Sequence, residues 1–117
     1  MGRLTTHVLD TANGCPGEGI HIKLYALKPD GMTLLKEAVT NDDGRVDAPL
    51  LEEGDFAKGE YLLEFAAGDY FRARGTGLSD PAFLDVVPIR FGVADAGAHY
   101  HVPLLISPFG YSTYRGS

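Results

Sequence analysis

The chain has no tryptophan and one cysteine in 117 residues, so no disulfide can staple the monomer. Cys15 lies in an NGCPG turn segment. A lone thiol there leans towards a reducing compartment, and a nucleophilic role would need an electropositive setting. Positive charge is scarce: ten Lys and Arg stand against sixteen Asp and Glu, for a net charge of −6. That argues against non-specific nucleic-acid binding, which needs a basic surface, and against adhesion to an anionic membrane. No apolar run approaches the roughly 18 residues of a membrane span. The opening MGRLTTHVLD has no apolar core of a secretory signal, and the end is not the peroxisomal SKL. A cytoplasmic location is therefore expected. GxSxG, HExxH, phosphate-loop and dinucleotide patterns are all missing. Serines 79, 107, 112 and 117 offer no nucleophile elbow. No cofactor is expected, and an activated water is the more natural nucleophile.

Glycine and proline are plentiful, with fifteen and seven residues, which suits many turns rather than long helices. The length fits one domain over residues 1–117. A fold of this size buries roughly 65% of its extended-chain surface. Apolar residues alternate at period two along most of the chain. Residues 4–10 read as a strand with Leu4, Thr6 and Val8 on one face and Thr5, His7 and Leu9 on the other. Residues 11–19 read as a turn-rich loop. In 20–28, Ile20, Ile22, Leu24 and Ala26 alternate with His21, Lys23 and Tyr25. Further strands are expected over 32–40, at Arg45–Val46, and over 60–67, 84–94, 99–107 and 111–115. Pro88 makes 84–94 an edge or bulged strand, because proline cannot donate to a ladder. Residues 69–75 are the one helical segment, with Asp69 as cap and Gly75 as stop. About eight short strands and one short helix predict an all-β antiparallel sandwich. Open edges, and Tyr111 and Tyr114 in a last strand poor in charge, predict a homo-oligomer.

The chemistry-bearing residues are few. His21 is on the outer face of its strand and reads as a surface residue. His7 sits mid-strand opposite Val8. His99 and His101 share a face because strand side chains alternate, which sends Tyr100 and Val102 towards the core. Three readings of the histidines remain open: hydrogen-bonded structural residues, a zinc half-site, or general acid–base groups. The metal reading lacks a spaced third or fourth ligand, so no metal is expected. Imidazole titrates near ~6.5, which suits proton transfer at neutral pH. Arg45 leaves an NDDG turn, and Arg115 offers a planar cationic fork in the closing tail.

LTTHVLDTANGCPG near the start, DGRVDAPLL at 43–51, GDYF at 68–71 and the final HYHVPLLISPFGYSTYRGS together resemble the transthyretin-related proteins. More narrowly, they resemble the 5-hydroxyisourate hydrolases of urate breakdown. The closing YRGS separates those hydrolases from the hormone-carrying branch. The resemblance covers nearly the whole chain and implies a transthyretin-like sandwich of eight strands, with a short helix after the fifth. It also implies a homotetramer, a dimer of dimers, with its sites in the channel where dimers meet. The implied substrate is 5-hydroxyisourate, whose lactam is hydrolysed. The implied catalytic residues are His7, Arg45 and His101. Tyr114, Arg115, Gly116 and Ser117 match the terminal tetrapeptide and would bind substrate. His99 is expected nearer the strand end, outside the reacting groups. The rival reading is a carrier that binds an aromatic ligand in the same channel.

Overall fold

A computed structural model of the chain describes residues 2–116. Ser117, expected to bind substrate, lies outside the described residues. Two four-stranded sheets face each other across the core. The first holds β1 (Arg3–Asp10), β2 (Cys15–Pro16), β7 (His99–Ser107) and β8 (Gly110–Thr113), in the order β2-β1-β7-β8. The second holds β3 (His21–Lys28), β4 (Gly31–Val39), β5 (Gly59–Ala66) and β6 (Val86–Val93), in the order β4-β3-β5-β6. The helix α1 (Ala67–Ala73) follows β5, as the resemblance implied.

The alternation in the sequence sets which residues enter the core. Leu4, Thr6 and Val8 of β1 point inward, as do Ile22, Leu24 and Ala26 of β3. Leu63, Phe65, Val87, Leu104 and Ile106 meet them from both sheets. Leu24 and Leu63 are 0% exposed, so truncating either to alanine would cost roughly 2–5 kcal/mol. Thr6 is buried without penalty because its hydroxyl donates to the Val102 carbonyl at 2.7 Å.

Four expectations are corrected. The sandwich is not wholly antiparallel: β1 and β7 run parallel, pairing Arg3 with His99, Thr5 with His101 and His7 with Pro103. Parallel neighbours need a long crossover, and here nearly the whole chain lies between them. Cys15 and Pro16, read as loop, pair with Asp10 and Leu9. Arg45 forms only an isolated bridge to His7, not a strand with Val46. The helix starts two residues early, because β5 runs straight into it at Ala66. No side chain caps it; Asp69 instead accepts from Arg72 at 3.0 Å, and Gly75 follows the helix at φ +83°. Pro88 is on an edge strand, as expected.

One buried carboxylate pins the far end of β1. Asp10 is 0% exposed and accepts from the backbone N–H of Ala12 and Asn13, from Asn13 Nδ2 at 2.7 Å and from the Tyr70 hydroxyl at 2.8 Å. Burial alone would raise the Asp10 pKa, but these bonds outweigh it and hold it below the usual carboxylate value. Burial and the bond to Asp10 push the Tyr70 hydroxyl up.

Candidate active site

The parallel register of β1 and β7 builds a polar cleft from residues almost a whole chain apart. Thr5 and His7 share the outer face of β1, while His99 and His101 share the outer face of β7. Pairing Thr5 with His101 sets these four side chains side by side. His7 Nδ1 lies 2.6 Å from His101 Nε2. Thr5 Oγ1 lies 2.7 Å from His101 Nδ1 and 2.8 Å from His99 Nε2. Together they form one continuous hydrogen-bonded chain.

The turn before Arg45 delivers its side chain to the same cleft. Asn41 Oδ1 accepts from the N–H groups of Asp43 and Arg45, and the Asn41 N–H donates to the Arg45 carbonyl at 2.7 Å. Gly44 has φ +73°, and a Cβ there would meet the Val8 carbonyl oxygen at 2.4 Å. Only glycine fits both the left-handed turn and the close approach that lets Val8 N–H donate to Gly44 O at 2.8 Å. That approach seats Arg45 opposite His7.

The tail closes the cleft from the other side. β8 ends at Thr113, and Tyr114, Arg115 and Gly116 then run back along β7. The Gly116 N–H donates to the His101 carbonyl at 2.7 Å. A Cβ on Gly116 would stand 2.9 Å from His101 Cδ2, so the tail lies this close only because the residue is glycine. The Arg115 guanidinium lies over the Tyr100 ring, 3.9 Å from its centroid, and donates to the His99 carbonyl at 3.3 Å. The cleft encloses about 890 Å³. Its charged side chains are Arg3, Arg45 and Arg115, and no carboxylate lines it among the described residues. A chain of net charge −6 thus reserves a cationic field for this cleft.

That field and partial burial lower the pKa of every imidazole in the cluster. Burial, then the Arg45 charge, holds His7 below its ordinary value. Burial, then Arg3 and Arg115, does the same to His99. His101 is pushed down to about 4 by burial and by its His7, Arg45 and His99 neighbours. At neutral pH the rings are therefore uncharged and can accept a proton. Their nitrogens are turned on one another and on Thr5. Among the described residues, no group of three or more His, Cys, Asp or Glu has the geometry to hold a metal.

The expected residues His7, Arg45, His101, Tyr114, Arg115 and Gly116 all line this one cleft. His99 does not stand apart as expected: its ring joins the chain through Thr5, with its centroid 6.3 Å from that of His101. Thr5 was the residue missed. Alternation places it on the His7 face, but only the β1–β7 register puts it between two histidines. His21 is exposed and outside the cleft, as expected.

Known proteins share this fold. The chain is 64% identical over 116 residues to 5-hydroxyisourate hydrolase 2 of Rhizobium meliloti, covering 99% of this chain and 97% of that one. It superposes on the crystal structure of (S)-allantoin synthase with a TM-score of 0.95 and 51% identity, covering 99% of this chain but only 44% of that larger one. The structure of Klebsiella pneumoniae 5-hydroxyisourate hydrolase matches with a TM-score of 0.82 and 33% identity, covering 100% of both chains. Residues 4–116 match the profile of the HIUase/Transthyretin family, and the chain belongs to that family.

Proposed function

We propose that the chain is a 5-hydroxyisourate hydrolase, which opens the six-membered ring of its substrate to a ureidoimidazoline carboxylate. The observation that carries this reading is the pair of neutral imidazoles, His7 and His101, joined at 2.6 Å within a cleft of cationic side chains. In this reaction water must lose a proton as its oxygen bonds to the lactam carbonyl carbon. The ring C–N bond then breaks, and the leaving nitrogen must gain a proton. His7 and His101 position and deprotonate the water. Arg45, opposite His7, holds the substrate oxygens and the developing oxyanion. Tyr114, Arg115, Gly116 and Ser117 bind substrate, with Arg115 anchored on Tyr100.

The enzyme acts as a homotetramer, a dimer of dimers, with this cleft facing a neighbouring subunit. Strands β6 and β8 end their sheets, and at β8 the preceding Phe109 and the strand's Tyr111 are 76% and 44% exposed. No helix is long and apolar enough to cross a membrane, and the cytoplasm is the proposed location. A carrier for an apolar ligand is disfavoured, since burying this cluster under such a ligand would strip its polar groups of solvent.

The test follows product identity. 5-Hydroxyisourate, made in place from ¹³C-urate and a urate oxidase, is watched by NMR with and without the protein. The reading requires faster loss of substrate and appearance of the ring-opened carboxylate. Stoichiometric binding without turnover would establish the carrier instead.

A further inference from the structure

The threonine between the histidines has a consequence for proton flow. Each of the three contacts in the chain His99–Thr5–His101–His7 requires one hydrogen between its two heavy atoms. The rings are neutral at pH 7, so each carries one N–H. Thr5 has a single hydroxyl proton, so when it donates to one ring it must accept from the other. Two arrangements satisfy all three contacts while keeping the Thr5 proton within the chain. In the first, His7 Nδ1–H donates to His101 Nε2, His101 Nδ1–H donates to Thr5, and Thr5 donates to His99 Nε2. The His7 Nε2 lone pair is then bare. In the second, every bond is reversed, and His7 Nε2 carries the proton.

We propose that Thr5 is a positioning residue for the hydrolytic histidines, coupling His99 to His101 and His7 so that the free edge of His7 switches between proton acceptor and proton donor. This rests on the hydrolase reading. In the first arrangement, His7 Nε2 takes a proton from water as the water oxygen bonds to the lactam carbon. The His7 Nδ1 proton passes to His101 Nε2, the His101 Nδ1 proton to Thr5, and the Thr5 proton to His99 Nε2. The cluster has gained one proton and one positive charge, which rests on His99. His7 now presents an N–H. As the ring C–N bond breaks with its electron pair on nitrogen, that N–H protonates the leaving nitrogen, and the other protons step back. The first arrangement is restored, with water added across the bond.

The charged groups facing the cluster are Arg3 from β1, Arg45 from the turn and Arg115 from the tail, with the Tyr114 phenol beside them. Among the described residues all these charges are positive, so none of them favours keeping a proton on any one ring. The excess proton is therefore transient, and the negative charge that develops on the substrate offsets it.

Thr5→Val keeps the β-branched shape and removes the hydroxyl, while Thr5→Ser keeps the hydroxyl. Thr5→Val is expected to lower kcat about 10- to 100-fold with KM within about twofold, by analogy with other residues that fix a histidine tautomer. Thr5→Ser should restore kcat to within about threefold of wild type, since the same donor and acceptor return. The activity-independent readout is ¹⁵N NMR of the imidazole nitrogens. In an otherwise wild-type chain, His99→Gln should shift the tautomer signature of His7 as well as that of His101. In Thr5→Val the same change should leave His7 unmoved. Equal kcat in wild type and Thr5→Val, equal loss in the Val and Ser variants, or a His7 spectrum blind to His99→Gln would each overturn the proposal. If Thr5→Val fails to fold, the His99→Gln comparison decides it. If the wild-type protein shows no turnover, the hydrolase reading fails by itself, and the NMR result still judges the coupling.

Discussion

The acid limb of the activity profile is where burial and the cationic cleft should be most visible. A base must be unprotonated to act, and an ordinary imidazole loses its proton near ~6.5. His7 is held below that value by burial and Arg45, and His101 is pushed down to about 4. The two rings share one hydrogen bond, so they titrate as a pair, and the first proton the pair takes up sets the limb. At pH 6.0 an unperturbed imidazole would be about three-quarters protonated and leave roughly a quarter of the plateau rate. The protein should retain well over that fraction. The assay is kcat/KM for freshly generated substrate from pH 4.5 to 8, with spontaneous decay subtracted at each pH. Arg45→Met removes the cation opposite His7, so its limb should move up towards ~6.5 while the plateau falls. A wild-type limb centred at or above 6.5, or a limb that Arg45→Met leaves in place, would refute the electrostatic argument.

Three further outcomes follow from the same geometry. Gly116→Ala would drive a methyl to 2.9 Å from His101 Cδ2, so kcat/KM should fall about tenfold or more while the melting temperature stays near wild type. Asp10→Ala would strand the Tyr70 hydroxyl and the Asn13 donors, lowering stability by roughly 2–4 kcal/mol in urea unfolding while the rate per folded molecule holds. His101 binds its proton more weakly folded than unfolded, so its contribution is complete above ~6.5 and is lost as pH falls towards 4; between pH 7.5 and 4.5 this removes roughly 1–2 kcal/mol for a half-buried ring, and His101→Gln should flatten that loss in denaturation curves.

The cleft's residues could be read from the sequence more fully than its wiring. Period-two alternation placed Thr5 and His7 opposite Leu4, Thr6 and Val8, and it sent Tyr100 and Val102 to the core while His99 and His101 faced outward. Pro88 marked an edge because its missing N–H can only face away from a ladder. The parallel β1–β7 register is a long-range pairing that no local pattern encodes, so neither Thr5 between two histidines nor the membership of His99 could be seen. The pairing of Cys15 and Pro16 with β1 is local, across a tight turn from Asp10, and was hidden because the glycines and proline around Cys15 read as loop. Asp10 read as the polar end of a strand. Its burial depends on Tyr70, sixty residues away in the chain, reaching it from α1. The helix start was misplaced because Asp69 looks like a cap, whereas the chain turns directly from β5 at Ala66.

The central claim is that the joined pair His7 and His101 carries the hydrolysis. The most direct measurement is the ultraviolet decay of freshly made 5-hydroxyisourate with wild-type protein, His7→Asn, His101→Asn and buffer alone. The account predicts fast wild-type decay and a loss of roughly 10²–10⁴ in each variant, both still folded. A loss below tenfold in both variants would contradict it.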